Sequence, residues 1–242
     1  LTFGGNNRFP LWSADGQRIV FRSDREGDGG LFWQPVTGGP AERLAKVDSP
    51  LSLQGQSWFP DGKTMLLDIR KGGGFGVGTL TVGGDLQPKE IIPAPASHSN
   101  LSPDGHWIAY DTGPGGGRTD VYVQSFESSS TKYQITTTGG SSPLWSRDGK
   151  QLFYTISTGI DHQILAVDVD TKSGFSFGKT TPLPFTTTYY ANGARPYDIS
   201  PDGKHFVVMF PESQSNPTKT QPEQINVILN WREALNSSAR GH

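Results

Sequence analysis

Seven side chains in this chain of 242 residues have the chemistry to hold a polar or anionic molecule together: Arg8, Gln54, Gln56, His98, Arg195, Tyr197 and Asp198. Each lies a few residues ahead of an Asp-Gly pair, so each occupies a comparable place in a recurring segment. Arginine brings a planar fork of donors suited to carboxylate and phosphate, and glutamine and histidine add directional donors and acceptors. If the segments are arranged about a common axis, these residues converge at one mouth. The alternative is that they are solvated loop tips, since any such mouth must be polar.

The elements that would position them are read from the Asp-Gly pairs themselves. These stand at Asp15-Gly16, Asp61-Gly62, Asp104-Gly105, Asp148-Gly149 and Asp202-Gly203, spaced by 46, 43, 44 and 54 residues. Trp12, Trp58, Leu101, Trp145 or Ile199 precedes each Asp by three positions, and an apolar run such as IVF, MLL or WIAY follows. A tight hairpin needs positive φ, which Gly adopts without steric cost, while the Asp carboxylate accepts backbone N–H groups inside the turn. The Asp residues are structural on this reading.

A period of about 40 to 45 residues with four short strands is that of a β-propeller blade. The sequence predicts an all-β, five-bladed β-propeller of four-stranded antiparallel blades in a single domain. The blades fall at about 6–46, 47–92, 93–138, 139–186 and 187–231. The fifth lacks a fourth strand, and residues 1–5, LTFGG, resemble the ITTTGG at the end of the third blade. The N-terminal strand is therefore expected to close the last blade and remove an exposed sheet edge.

Composition narrows the function. A net charge of −2 gives no field for polyanions, so nucleic acid is not an expected partner. No apolar stretch approaches the roughly 20 residues of a membrane span, so direct membrane insertion is not expected either. With no cysteine, disulfides and thiol chemistry are excluded, and cytoplasm and periplasm both fit. The 31 glycines and 18 prolines punctuate regular apolar runs, as a many-stranded fold requires.

The motifs PLWSADGQRIVFRSDREG, SPDGHWIAYDT, PLWSRDGKQLFY, ISPDGKHFVVMF and the late INVILNW resemble the TolB-like, WD-repeat-like propeller family over essentially the whole chain. The succession ending in INVILNWREAL is similar to the C-terminal propeller of bacterial membrane-associated serine/threonine protein kinases. That resemblance implies a propeller with a sensory or interaction role in a signalling protein. It carries no catalytic set onto this sequence, and no kinase motif is present.

Catalytic constellations were sought directly. His98 is the one histidine placed near the axis, whereas His106 and His205 follow turns and His162 begins a strand, so the three or four converging ligands of a zinc site are not assembled. DREGDG at residues 24–29 opens like a calcium loop, but Pro35 stands where the closing Glu belongs. KGGGFGVG lacks the lysine and hydroxyl residue of a phosphate loop and reads as a flexible hairpin. Asp198 is the acid placed at the mouth with most assurance, and a hydrolase would need others, such as Asp48 or Asp161. Tyr189 and Tyr190, in the insertion before the fifth blade, could cover the mouth.

The expectation is thus a non-catalytic sensory or interaction module, a monomer with no catalytic residue, metal or cofactor assigned. It binds a protein partner or a small polar ligand at the mouth as part of a larger bacterial signalling protein. The alternative is a low-efficiency, metal-assisted hydrolase using His98 and acids of the same cavity.

Overall fold

The computed structural model describes residues 4–46, 51–113, 117–128, 131–159, 161–187, 194–209 and 225–228, the last group and Met209 by backbone alone. Strands and turns make up the described residues, with no helix among them.

The first sheet comprises β1 (Asn7–Trp12), β2 (Arg18–Ser23), β3 (Gly30–Pro35) and β4 (Glu42–Ala45). In the second are β5 (Ser52–Trp58), β6 (Thr64–Lys71), β7 (Gly74–Thr81) and β8 (Lys89–Ile92). The third holds β9 (Ser97–Leu101), β10 (Trp107–Thr112), β11 (Asp120–Ser125) and β12 (Lys132–Gln134). Next come β13 (Ser141–Trp145), β14 (Gln151–Ser157), β15 (His162–Asp170) and β16 (Ser176–Thr187), and then a sheet of β17 (Tyr197–Ile199), β18 (Phe206–Met209) and β19 (Ile225–Ile228). Every sheet is an antiparallel meander in sequence order. The first strands pack in succession, β1 on β5, β5 on β9 and β9 on β13, which makes them the inner strands.

Each Asp-Gly turn is a small hydrogen-bonded device. In the first, Ser13 Oγ donates to Asp15 Oδ1 at 2.6 Å, the same oxygen accepts the Gln17 amide, and Ser13 Oγ accepts the Arg18 amide at 2.9 Å. Ser102, Ser146 and Ser200 repeat the pattern with Asp104, Asp148 and Asp202. The second turn has Phe59 in place of the serine, and Thr64 Oγ1 supplies the missing donor to Asp61 at 2.7 Å. Gly16, Gly62, Gly105, Gly149 and Gly203 all have φ between 65° and 81°, the conformation the turn requires.

Period-two alternation then decides what packs where. Met65, Leu67 and Ile69 of β6 face the first sheet, joining Val20, Leu31 and Leu44, while Leu66 faces the third, joining Ile108 and Tyr110. Trp107 and Ala109 of β10 turn the other way, onto Trp145, Leu152 and Phe175. Phe153 of β14 meets Tyr197, Ile199 and Phe206 of the last sheet. The core is a series of apolar layers between neighbouring sheets, each fed by alternate residues of two strands.

Two expectations need adjustment. The glycine stretch at 73–78 is largely ladder, with Gly74 to Thr81 paired to β6 and Val77 to Thr79 also to β8, and a Cβ at Gly76 would sit 2.7 Å from Glu90 Oε1 and 2.9 Å from the Ile92 carbonyl. Close approach of the neighbouring strand explains the glycine there, while the hairpin turn itself is confined to Gly72 and Gly73. The N-terminal closing strand lies mostly outside the described residues, in which Gly4 and Gly5 form a bend. The fifth sheet has three strands among the described residues, and no pairing there joins it to the first.

Candidate ligand site at the inner strand ends

The inner strands begin at the end opposite the Asp-Gly turns, and there the register breaks. Bulges interrupt the pairing of β1, β5, β9 and β13 with their second strands. Phe9, His98 and Ser142, each six positions before its turn Asp, take φ of 56°, 51° and 55°. A bulge with a left-handed residue re-aims an amide out of its own ladder. Here the amide points across the joint between sheets.

What receives it is an acid in the second strand of the preceding sheet. Asp68 Oδ2 accepts the His98 amide at 2.7 Å, and Asp111 Oδ2 accepts the Ser142 amide at 2.8 Å. Both acids follow their turn Asp by seven residues and are 1% exposed. Around them the remaining lone pairs are filled. Asp68 also accepts Ser99 Oγ at 2.6 Å, the Ser99 amide at 3.2 Å and Gln56 Nε2 at 2.9 Å. Asp111 accepts Ser97 Oγ at 2.7 Å and pairs with His98 Nδ1 at 2.8 Å.

The electrostatics follow from this enclosure. Burial pushes the Asp68 carboxyl up to about 6 against the pull of the Ser99 hydroxyl, the His98 charge and the Ser99 amide. For His98 burial works against the charged ring, yet attraction and hydrogen bonding by Asp111, with Asp68 behind it, raise it above its ordinary value. Burial likewise raises the Tyr197 phenol, which donates to the Ser142 carbonyl at 2.7 Å.

The seven residues singled out by sequence therefore divide. Gln56 and His98 belong to the acid network, and Tyr197 is a buried strut onto β13. Gln54 is buried in β5, opposite Asp68. Arg8 is exposed and donates from Nε to Asn6 Oδ1 at 3.2 Å. Asp198 points outward, 3.8 Å from Arg147, so the carboxylate beside His98 is Asp111 instead. Arg195 donates from Nε to the Pro143 carbonyl at 3.0 Å, while its Nη2 is buried without a partner among the described residues. Ser142 Oγ is in the same condition. The charge of Arg195 reaches both His98 and Tyr197, which places these groups in one pocket of the field. Tyr189, Tyr190 and Asp48 lie outside the described residues.

The acids beside His98 already accept two or more donors each, which makes them fixed acceptors holding sheets together, and among the described residues no three His, Asp or Glu are grouped to hold a metal ion. The unused capacity lies in the arginine fork and the serine hydroxyl.

Comparison with solved structures identifies the fold. TolB from Acinetobacter baumannii superposes with a TM-score of 0.72 at 19% identity, covering 93% of this chain and 52% of that one. A protein assigned as TolB in Agrobacterium tumefaciens gives 0.66 at 18% identity, over 93% of this chain and 77% of that one. The fold is that of a TolB-like β-propeller.

No protein-family model matches the chain. One curated relative, the uncharacterized peptidase YuxL of Bacillus subtilis (strain 168), is 39% identical over 66 residues, which is 27% of this chain and 10% of the peptidase. The chain thus spans about half of the Acinetobacter TolB and a tenth of the peptidase.

Proposed function

We propose that this propeller is a non-catalytic interaction or sensory module that takes a small polar ligand, or the polar end of a protein partner, at the mouth formed by its inner strands. It would serve as one module of a larger signalling protein. A five-bladed ring closed by the N-terminal strand, acting as a monomer, is the architecture proposed for it. Propeller neighbours and the antiparallel meander of each sheet support the propeller form.

One observation carries the binding reading. Arg195 Nη2 and Ser142 Oγ are buried polar atoms without partners among the described residues, beside a completed network of buried hydrogen bonds. A buried donor left unmade costs roughly 1–3 kcal/mol, so an acceptor arriving from outside recovers that much locally. The acceptor fitting a guanidinium fork next to a hydroxyl is a carboxylate, a phosphate or a polarised carbonyl. The hydrolase alternative lacks comparable support, since Asp68 and Asp111 are occupied as acceptors.

A thermal-shift screen of small polar and anionic compounds against wild type and Arg195→Ala tests the proposal. Ligands that stabilise the wild type should lose their effect in the variant. An unchanged response to every stabilising compound removes Arg195 from the site and the proposal with it.

A further inference from the structure

The seventh residue after each turn Asp reads Arg22, Asp68, Asp111, Thr155 and Met209. In the second and third sheets this position is the buried acid that clasps the next sheet. In the first it is a cation, so the joint between the first two sheets has its charge inverted.

Arg22 is not alone. Its cross-strand partner in β1 is Arg8, and Arg70 at the end of β6 lies opposite Ser52. Gly29 bridges to Ser52, and a Cβ at Gly29 would stand 2.6 Å from Ser52 Cβ and 3.2 Å from Arg22 Nε. Arg22 and Ser52 therefore both close on Gly29, so tightly that even a methyl group there would collide with Ser52. Ser52 is 5% exposed, and its Oγ has no hydrogen-bond partner among the described residues. Arg22 is half-buried, and no described residue accepts a hydrogen bond from its guanidinium. Burial, then the like charges of Arg8 and Arg70, push it below its ordinary value, with Asp24 as the opposing charge. Asp24 Oδ1 meanwhile accepts the Asn6 amide at 2.7 Å. Among the described residues the Arg8 guanidinium donates to Asn6 Oδ1, and Arg70 lies 5.7 Å from the Phe75 ring centroid.

Three guanidinium groups gathered beside a buried hydroxyl are unfavourable by themselves, because like charges repel and an unmade buried bond is a loss. Both costs are relieved by one kind of occupant. A single carboxylate brings one charge in one plane, whereas a phosphoryl group brings nearly two charges and acceptor oxygens in three directions. From this geometry we infer that Arg8, Arg22, Arg70 and Ser52 form a site for the phosphoryl group of a small soluble molecule. This deepens the reading of the mouth as a ligand site and rests on it, but uses the first and second sheets where Arg195 uses the fourth and fifth. In the joint it takes the place that the Asp68 carboxylate fills between the second and third sheets.

Calorimetric titration of inorganic phosphate into wild type, Arg22→Gln, Arg195→Ala and the double variant, in chloride buffer of matched ionic strength, tests the site. The wild type should bind phosphate saturably and Arg22→Gln at least about tenfold more weakly, and adding Arg22→Gln to Arg195→Ala should cause the same loss. Without phosphate, Arg22→Gln should melt at or above the wild-type temperature, since it removes like-charge repulsion and leaves the fold intact. Equal affinity in wild type and Arg22→Gln, or no saturable heat at about 10 mM phosphate, overturns the inference. So does Arg22-dependent binding of succinate with phosphate inert. If screened ligands still depend on Arg195 while phosphate fails, the mouth reading stands and the phosphoryl assignment alone falls.

Discussion

His98 Nδ1 lies 2.8 Å from Asp111 Oδ2, and that same oxygen accepts the amide of Ser142 from the next sheet at 2.8 Å. One carboxylate thus fixes a ring within its own sheet and an amide of its neighbour. Asp111→Asn removes the negative charge beside His98 and leaves one acceptor oxygen where two served Ser97, His98 and the Ser142 amide. Breaking a buried pair in this way costs about 3–5 kcal/mol. Urea denaturation should show that loss, and a change below about 1 kcal/mol would mean the network does not hold the joint.

The pH dependence has a defined sign. With Asp68 raised from 3.8 to about 6 by burial, the folded protein binds more protons than the unfolded chain between those values, so stability falls as pH rises through that window. His98, raised above 6.5, acts in the same direction: its stabilising share is complete below 6.5 and is lost as pH rises through the folded value. Asp15, Asp61 and Asp202 are lowered, chiefly by hydrogen bonds in the turns, with burial opposing, and lose their share only as pH falls below 3.8. Melting temperature should therefore decline from pH 4.5 to 6.5 in wild type and be flatter in Asp68→Asn. A parallel slope in both proteins would remove Asp68 as the cause.

The turns give a prediction that depends on sequence differences among them. Ser146→Ala removes the donor to Asp148 and the acceptor for the Gln151 amide, and should cost about 1 kcal/mol. Thr64→Val should cost about as much in the second turn, where Phe59 replaces the serine. Chemical denaturation of both variants checks the equivalence; a neutral Thr64→Val would show that the second turn holds without its hydroxyl.

Much of this was legible in the residues. Asp15, Asp61, Asp104, Asp148 and Asp202 mark turns because Gly at positive φ and a capping carboxylate are local requirements. The apolar runs after them mark strands because alternate residues feed layers on both sides. The clasping acids were harder to see, since Asp68 in LLDI and Asp111 in YDT look like polar interruptions of a strand. Their partners are amides of the next sheet, which have no sequence signature beyond the constant seven-residue offset. The same offset would have exposed Arg22 as the odd member. Asp198 misled because alternation in the short β17 turns it outward between Tyr197 and Ile199.

In the proposed site the buried Arg195 Nη2, without a partner among the described residues, receives an acceptor from the ligand. The most direct measurement is calorimetric titration of the strongest stabilising compound from the screen into wild type and Arg195→Ala. Binding to the wild type should be saturable and at least about tenfold weaker in the variant, with unchanged circular dichroism. Equal affinity for both proteins would contradict it.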